Sequence, residues 1–228
     1  MIGIICAMEE EIENILLSMK DVQKHVISSQ VFNVGDIDGK SCVVALCGVG
    51  KVNAAMCTQT MILKYNPDFI INTGIAGGIG KNVNIGDIVI ADFVMQHDFD
   101  VSPYRKRGEI SGIDITNIPC CEKIYSKIIS CINNISDVKH HVGTIMTGDQ
   151  FIHSEEKLKS LSKDFSGIAC EMEAGSIGQV CHINKKDFAI IRAISDNADQ
   201  NANVDFVKFT KYASDLAANI LLSFIRSC

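Results

Sequence analysis

Glu171 and Glu173 flank Met172 in the stretch CEMEAGS, between the apolar or small-residue strings FSGIA and IGQVC. Taking a carboxylate out of water costs several kcal/mol unless it is paired, so acids in such a setting need a partner or a purpose. Further acids stand beside apolar runs. Glu9, Glu10 and Glu11 follow IGIIC and Ala7-Met8, and Asp196 closes RAIS in RAISDNAD, with Arg192 close by. Singly, each has a plain structural use: Glu9 and Glu10 suit a first helical turn, favoured by the macrodipole, and Asp196 suits a turn or helix cap. Together, acids at separate strand ends with an arginine nearby fit hydrolysis of a glycosidic bond, which needs an acid for the leaving group and a base for water.

Other chemistries find less support. GVGKVN looks like a phosphate loop, but Ala45 stands where its first glycine belongs and Val52 where Ser or Thr should hold magnesium. GIAGGIG misses the G-x-G-x-x-G spacing of a dinucleotide site; its glycines suit a tight turn or a close backbone approach to a ligand. His97-Asp98-Phe99-Asp100, His140-His141 and His153 lack the spacing of a closed metal site, so no metal is expected. There is no G-x-S-x-G motif, and the cysteines come with no positioned histidine, which leaves a covalent nucleophile without a case.

The elements that would carry the acids alternate. IGIIC (2–6) reads as a buried strand, and Ile12, Ile15, Leu16 and Met19 recur at helical spacing behind it. VFNVGDI and SCVVALCG read as paired strands about the turn Asp38-Gly39. KVNAAMCTQTMILKY is a helix ending at Asn66-Pro67, and DFIINTG is a buried strand running into the glycine-rich loop GIAGGIG. GDIVIADFVMQHD is a strand, CCEKIYSKIISCI a helix, HVGTIMTG a strand, and HSEEKLKSL a helix opened by Ser154. GIACEME, the helix AGSIGQVCHI, the strand FAIIRAIS and a closing helix from about Val204 to Ile225 complete the order. This alternation predicts an α/β fold: one domain over 1–228, with a central mixed, mostly parallel sheet and helices on both faces. Ligands then belong at the carboxyl ends of the strands, where MEEE, GVGKVN, TGIAGG, TGDQF, EMEA and SDNAD gather.

Composition sets the class. With 47% hydrophobic residues, 3 prolines and no tryptophan, the chain can bury a sizeable core and is not expected to be disordered. A net charge of −6, with YRKRG at Tyr104 to Gly108 as the dense basic patch, argues against a nucleic-acid or anionic-membrane surface. The 10 cysteines sit in apolar strings as small hydrophobes, and none forms C-x-x-C. No signal peptide, membrane span or myristoylation site is read, so a reducing cytoplasmic compartment is expected.

GIICAMEEEI, GVGKVNAA, FIINTGIAGG, NIGDIVIAD, HDFDVS, TGDQFI, CEMEA and RAISDNAD, taken in order over nearly the whole chain, resemble the 5′-methylthioadenosine/S-adenosylhomocysteine nucleosidases of the purine nucleoside phosphorylase superfamily. The resemblance implies a nucleoside phosphorylase-like fold and hydrolysis of those adenosyl thioethers without a cofactor. Glu11 would activate water with Arg192 nearby, Asp196, beside Ser195, would protonate adenine at N7, and Glu173 would hold the ribose hydroxyls, with Met172 packing on the sugar. An acid at 196 rather than Asn fits a 6-amino purine, because it can both donate and accept. Glu171 is read as structural. Phe151 and Ile152 would meet adenine, Met8, Val49 and Phe206 would line the thioether end, and Val101 and Tyr104 would reach it from the partner in a homodimer. Ile75 stands where many members carry serine, and the loop from Arg105 to Ile118 is shorter and more basic than theirs. Aminodeoxyfutalosine remains an alternative substrate, phosphorolysis an alternative reaction and a non-catalytic nucleoside-binding protein an alternative class.

Overall fold

The computed structural model describes residues 1–135, 138–199 and 201–228. The continuous apolar run IGIIC forms β1 (Ile2–Cys6), buried along its whole length, and α1 (Glu9–Leu17) follows at once. β2 (Lys20–Ile27), β3 (Gln30–Ile37) and β4 (Lys40–Leu46) form an antiparallel meander. Asp38 and Gly39 both take positive φ, 50° and 82°, as the tight turn between β3 and β4 requires. α2 (Lys51–Tyr65) stops at Asn66, whose left-handed φ of 43° precedes Pro67, a residue that cannot continue a helix. Next come β5 (Phe69–Gly78), β6 (Ile88–Gln96), the short β7 (Ile118–Pro119), α3 (Glu122–Ile132) and β8 (His140–Thr147). α4 (Glu155–Asp164) is capped by the Ser154 hydroxyl, which accepts from the Lys157 N–H at 3.3 Å. β9 (Ala169–Glu171), α5 (Ala174–Ile183), β10 (Asp187–Asp196) and α6 (Ala202–Ser227) end the chain.

All strands join one sheet in the order β10-β6-β8-β9-β5-β1-β4-β3-β2, with β7 on β6. A further β10–β5 pairing closes β5, β9, β8, β6 and β10 into a ring. The sheet is mixed without a parallel majority, which corrects the mostly parallel expectation. β1–β4, β1–β5, β5–β10, β6–β8 and β8–β9 are parallel, while β2–β3, β3–β4, β5–β9, β6–β7 and β6–β10 are antiparallel. The cause is the meander on one side and ring closure on the other, neither of which a strand–helix alternation reveals. A second correction concerns GIAGG, read as a loop: β5 runs through it, pairing with β10 and with β9. β2 is an added strand, mostly exposed and, among the described residues, pairing only with β3, so it carries no apolar pattern.

Alternate residues of the strands feed two cores. Ile4, Val44, Ile71 and Ile191 pack against Ile12 and Ile15 of α1, Ile128 of α3 and Leu221 of α6. Ile5, Val43, Ile70 and Ile190 pack against Met61 of α2 and Ile177 of α5. Period-two burial on both faces is what a sheet covered by helices on both sides requires. No helix among the described residues is long and apolar enough to cross a membrane. Ile71 lies fully buried in β5, between β1 and β10. Ile71→Ala is expected to lower unfolding stability by about 2–5 kcal/mol through lost apolar burial and a residual cavity, read as a lower denaturant midpoint at unchanged slope.

Candidate active site

The paired strands β5 and β10 set the centre of the site. The register of β10 on β5 sets Arg192 opposite Gly74 and Asp196 opposite Gly77, with an irregularity between Ile194 and Asp196 that leaves Ser195 as the extra residue. Bulges of this kind turn a side chain away from its regular direction, here at the end of the strand. A side chain at Gly74 would collide with the Glu11 carboxylate and the Arg192 guanidinium; one at Gly77 would come within 2.9 Å of Asp196 Oδ1. Both glycines are needed for the space they leave beside the charged groups.

Arg192 is fully buried. Its Nη2 donates to Asn72 Oδ1 at 2.6 Å and to Glu171 Oε2 at 2.5 Å, and lies 3.8 Å from Glu173 Oε2. Nε and Nη1 have no protein partner. Glu171 also accepts from the Thr147 hydroxyl and from the backbone N–H groups of Glu173 and Ala174, at 2.9 and 2.7 Å. Its acceptor capacity is spent inside the protein, as a neutraliser of Arg192 and a cap for the start of α5.

Glu11 is the third residue of α1 and reaches back to the helix start. Its Oε2 accepts from Ala7 N–H at 2.8 Å and Met8 N–H at 3.0 Å, and its Oε1 accepts from Ile75 N–H at 3.0 Å. Burial pushes the carboxyl above the ordinary carboxylate range, against the pull of Arg192 and the three N–H donors. Glu173 precedes α5 and accepts from Gly50 N–H through Oε1 at 2.8 Å. Burial, reinforced by the charge on Glu171, pushes it up to about 8, with Arg192 and the Gly50 N–H opposing. Asp196 accepts from Ala198 N–H and from the Ser195 hydroxyl, both at 2.8 Å, and burial raises it too. All three carboxyl groups are raised by burial, a mark of sites where protons are exchanged.

They face one cavity of about 190 Å³ at the carboxyl ends of the strands. Met8, Glu11, Val49, Ile75, Phe151, Met172, Glu173, Ser195, Asp196 and Phe206 line it together with Ala7, Ala76, Gly77, Cys170 and Glu171. Phe151 meets Phe206 edge-on at the rim, centroids 5.5 Å apart. Ile152 is buried and lines an adjoining recess shared with Gly77, Met172 and Asp196. Arg192 stands behind the acids rather than on the cavity wall. Val101 and Tyr104 do not line the cavity of their own chain; Tyr104 is 92% exposed, beside Arg105 and Lys106. Sequence reasoning missed the part played by Gly50 and Gly74. Both lie inside motifs it quoted, but residue type does not tell which acid the Gly50 N–H serves or which charged groups the bare Gly74 faces.

The histidines weighed as metal ligands go elsewhere. His97 is wholly buried with neither ring nitrogen partnered, and burial pushes it below the usual histidine range. His141 Nε2 lies 2.8 Å from Asp87. Among the described residues no group of three or more His, Cys, Asp or Glu is arranged to hold a metal ion.

The fold is shared with known proteins. The profile of the phosphorylase superfamily matches residues 1–226. Within that class, the chain is 37% identical over 227 residues to the 5′-methylthioadenosine/S-adenosylhomocysteine nucleosidase of Shewanella loihica, covering 99% of this chain and 98% of that protein. The crystal structure of the Neisseria meningitidis nucleosidase of the same name, in complex with methylthio-immucillin-A, superposes with a TM-score of 0.97 at 34% identity, covering 100% and 99% of the two chains. The native structure of futalosine hydrolase from Helicobacter pylori strain 26695 gives a TM-score of 0.95 at 32% identity, over 100% and 97%. The chain belongs to the 5′-methylthioadenosine/S-adenosylhomocysteine nucleosidase family of the phosphorylase superfamily.

The two glutamates of EMEA differ in what their removal should do. Glu171→Gln removes the nearest countercharge of a guanidinium that has no contact with water, and is expected to cost about 3–5 kcal/mol of unfolding free energy. Glu173→Gln keeps that pair and removes a carboxylate whose charge burial already opposes, so chemical denaturation should show a much smaller loss.

Proposed function

We propose that the protein hydrolyses the N-glycosidic bond of 5′-methylthioadenosine and S-adenosylhomocysteine, releasing adenine and the thioribose. The observation that carries this reading is the convergence of Glu11, Glu173 and Asp196 on one cavity whose lining holds no lysine or arginine. Water enters against C1′ of the ribose as Glu11 takes its proton. The C1′–N9 bond breaks, its electron pair goes to the purine, and Asp196 delivers a proton to N7. As that bond lengthens the sugar becomes an oxocarbenium-like cation, and the ribose hydroxyls donate to Glu173 in charge-assisted pairs that strengthen with the charge. Arg192 offers its unpartnered Nη1 behind the acids, where it supports the ionised form of Glu11. Ser195 keeps Asp196 aimed by donating to its Oδ2.

The apolar members of the lining divide the substrate. Phe151 stacks on adenine, with Ile152 beside it, and Met172 packs on the ribose. Met8, Val49, Ile75 and Phe206 take the apolar end. Val101 and Tyr104 complete that end from a second copy in a homodimer, a role that the exposure of Tyr104 suits. No metal, organic cofactor, nucleic acid or membrane takes part in this reading. The cysteines, buried except for Cys121 and Cys228, suit a reducing cytoplasmic setting. Phosphorolysis is disfavoured because acids without a basic residue on the cavity wall repel phosphate. Likeness to the Helicobacter pylori futalosine hydrolase supports a second substrate reading, aminodeoxyfutalosine.

The deciding measurement is adenine release from 5′-methylthioadenosine with and without phosphate. Free methylthioribose at the same rate in both is expected; release only with phosphate, as the sugar 1-phosphate, would reverse the assignment. Asp196→Asn, which cannot give up a proton, should lower kcat/KM about 10²–10⁴-fold. The pH profile follows from the raised glutamates: activity falls on the acid side as Glu173 and Glu11 take protons. An unchanged kcat/KM in Asp196→Asn would remove Asp196 from the proton-donor role.

A further inference from the structure

Lys51 of GVGKVN, Asp98 of HDFD and Asp149 of TGDQF, to which the proposed chemistry gives no role, meet in one closed circuit. Lys51 N–H donates to Asp149 Oδ1 at 2.8 Å, Asp149 N–H donates to Asp98 Oδ2 at 2.9 Å, and Lys51 Nζ donates to Asp98 Oδ1 at 2.7 Å. The circuit ties the start of α2 to the ends of β6 and β8. Lys51 and Asp98 expose only 19% and 18% of their side chains, so the pair is partly shielded from the screening that weakens surface ion pairs. Lys51 Nζ also reaches Gln96 Oε1 at 3.2 Å, and Gln96 donates to Gln179 of α5 at 2.7 Å.

The residue before Lys51 is Gly50, whose N–H is held on Glu173 Oε1. Gly50 adopts φ 100° and ψ 160°, open to glycine and strained for other residues, and a Cβ there would lie 3.1 Å from Asp149 Oδ1. The first N–H groups of α2 are therefore shared between two carboxylates brought from elsewhere, Glu173 at Gly50 and Asp149 at Lys51, and no side-chain cap of its own serves the helix. We infer that Lys51, Asp98 and Asp149 are positioning residues: their circuit fixes the Gly50 N–H on Glu173 and so aims the carboxylate at the ribose hydroxyls. This rests on the hydrolytic reading above.

Glu173 is faced by Glu171 from β9, Arg192 from β10, Glu11 from α1, the Cys47 thiol after β4 and the Gly50 N–H at α2. Of these, the circuit touches only the last. Loosening it should leave the other charges in place and withdraw one donor that favours ionised Glu173.

The test compares Asp98→Asn, Lys51→Met and the double variant with the wild type on 5′-methylthioadenosine and on its 2′,3′-dideoxy analogue. For the natural sugar kcat/KM should fall about tenfold in each single variant, the scale of one hydrogen bond to a charged group. On the analogue, which gives Glu173 no hydroxyls to hold, variants and wild type should agree within about twofold. The acid limb of kcat/KM should rise by about one pH unit, and the double variant should lose no more than either single one. Equal losses on both substrates with an unmoved acid limb would show a merely structural circuit and overturn the inference; independent, additive losses would overturn the closed circuit. If Lys51→Met fails to fold, Asp98→Asn alone decides by the substrate ratio and the acid limb. Absence of adenine release from the wild type would instead sink the hydrolytic reading and this role with it.

Discussion

A guanidinium wholly out of water sits among acids from three elements, and much of the site follows from the need to keep it there. Arg192 reaches no solvent, so its charge is tolerable only beside Glu171, Glu173 and Glu11. The requirement sets the register of β10 on β5, because Gly74 is the neighbour that leaves room for the guanidinium and the Glu11 carboxylate. It also sets the charge of the cavity. One cation against several carboxyl groups makes an environment that favours positive charge on a bound sugar and is hostile to an incoming anion.

The same acids are steered by main-chain donors more than by side chains. Glu11 takes the N–H groups of Ala7, Met8 and Ile75, and Glu173 takes that of Gly50. Backbone amides are held by the elements they belong to and cost little further ordering, so carboxylates fixed by them keep their direction while burial shifts their protonation. Ile75 shows the same economy: its N–H serves Glu11 while its side chain lines the cavity.

How far the sequence could be read depended on whether the signal lay in residue pattern or in assembly. Long apolar runs gave β1 and β10, and the helical spacing of α2 and α5 gave their bounds to within a residue, because each of these buries a face whose periodicity is written in the chain. The strand β2 stayed invisible because an exposed edge strand needs no apolar alternation. GIAGG passed for a loop because its glycines serve the packing of β10, Glu11 and Asp196 rather than a turn. A mostly parallel sheet was expected because ring closure is a property of strand ends far apart in sequence. The acids themselves could be singled out, since charge in an apolar setting is conspicuous, while the glycines, read as a turn or an approach to a ligand, gave no sign that the room they leave is for those acids.

The closure of β5, β9, β8, β6 and β10 into a ring also bears on how the molecule comes into being. The seam joins Phe69–Gly78 to Asp187–Asp196, segments separated by more than a hundred residues of intervening chain. Such distant pairings form late, after the entropy of closing a long loop has been overcome. During synthesis β1, β4 and β5 can already associate, yet Asp196 and Arg192 arrive only with β10, so a growing chain exposes the glycine-lined edge of β5 until its last strand emerges. Proton donor and buried cation enter in the same stroke that seals the ring, and a half-made protein has neither.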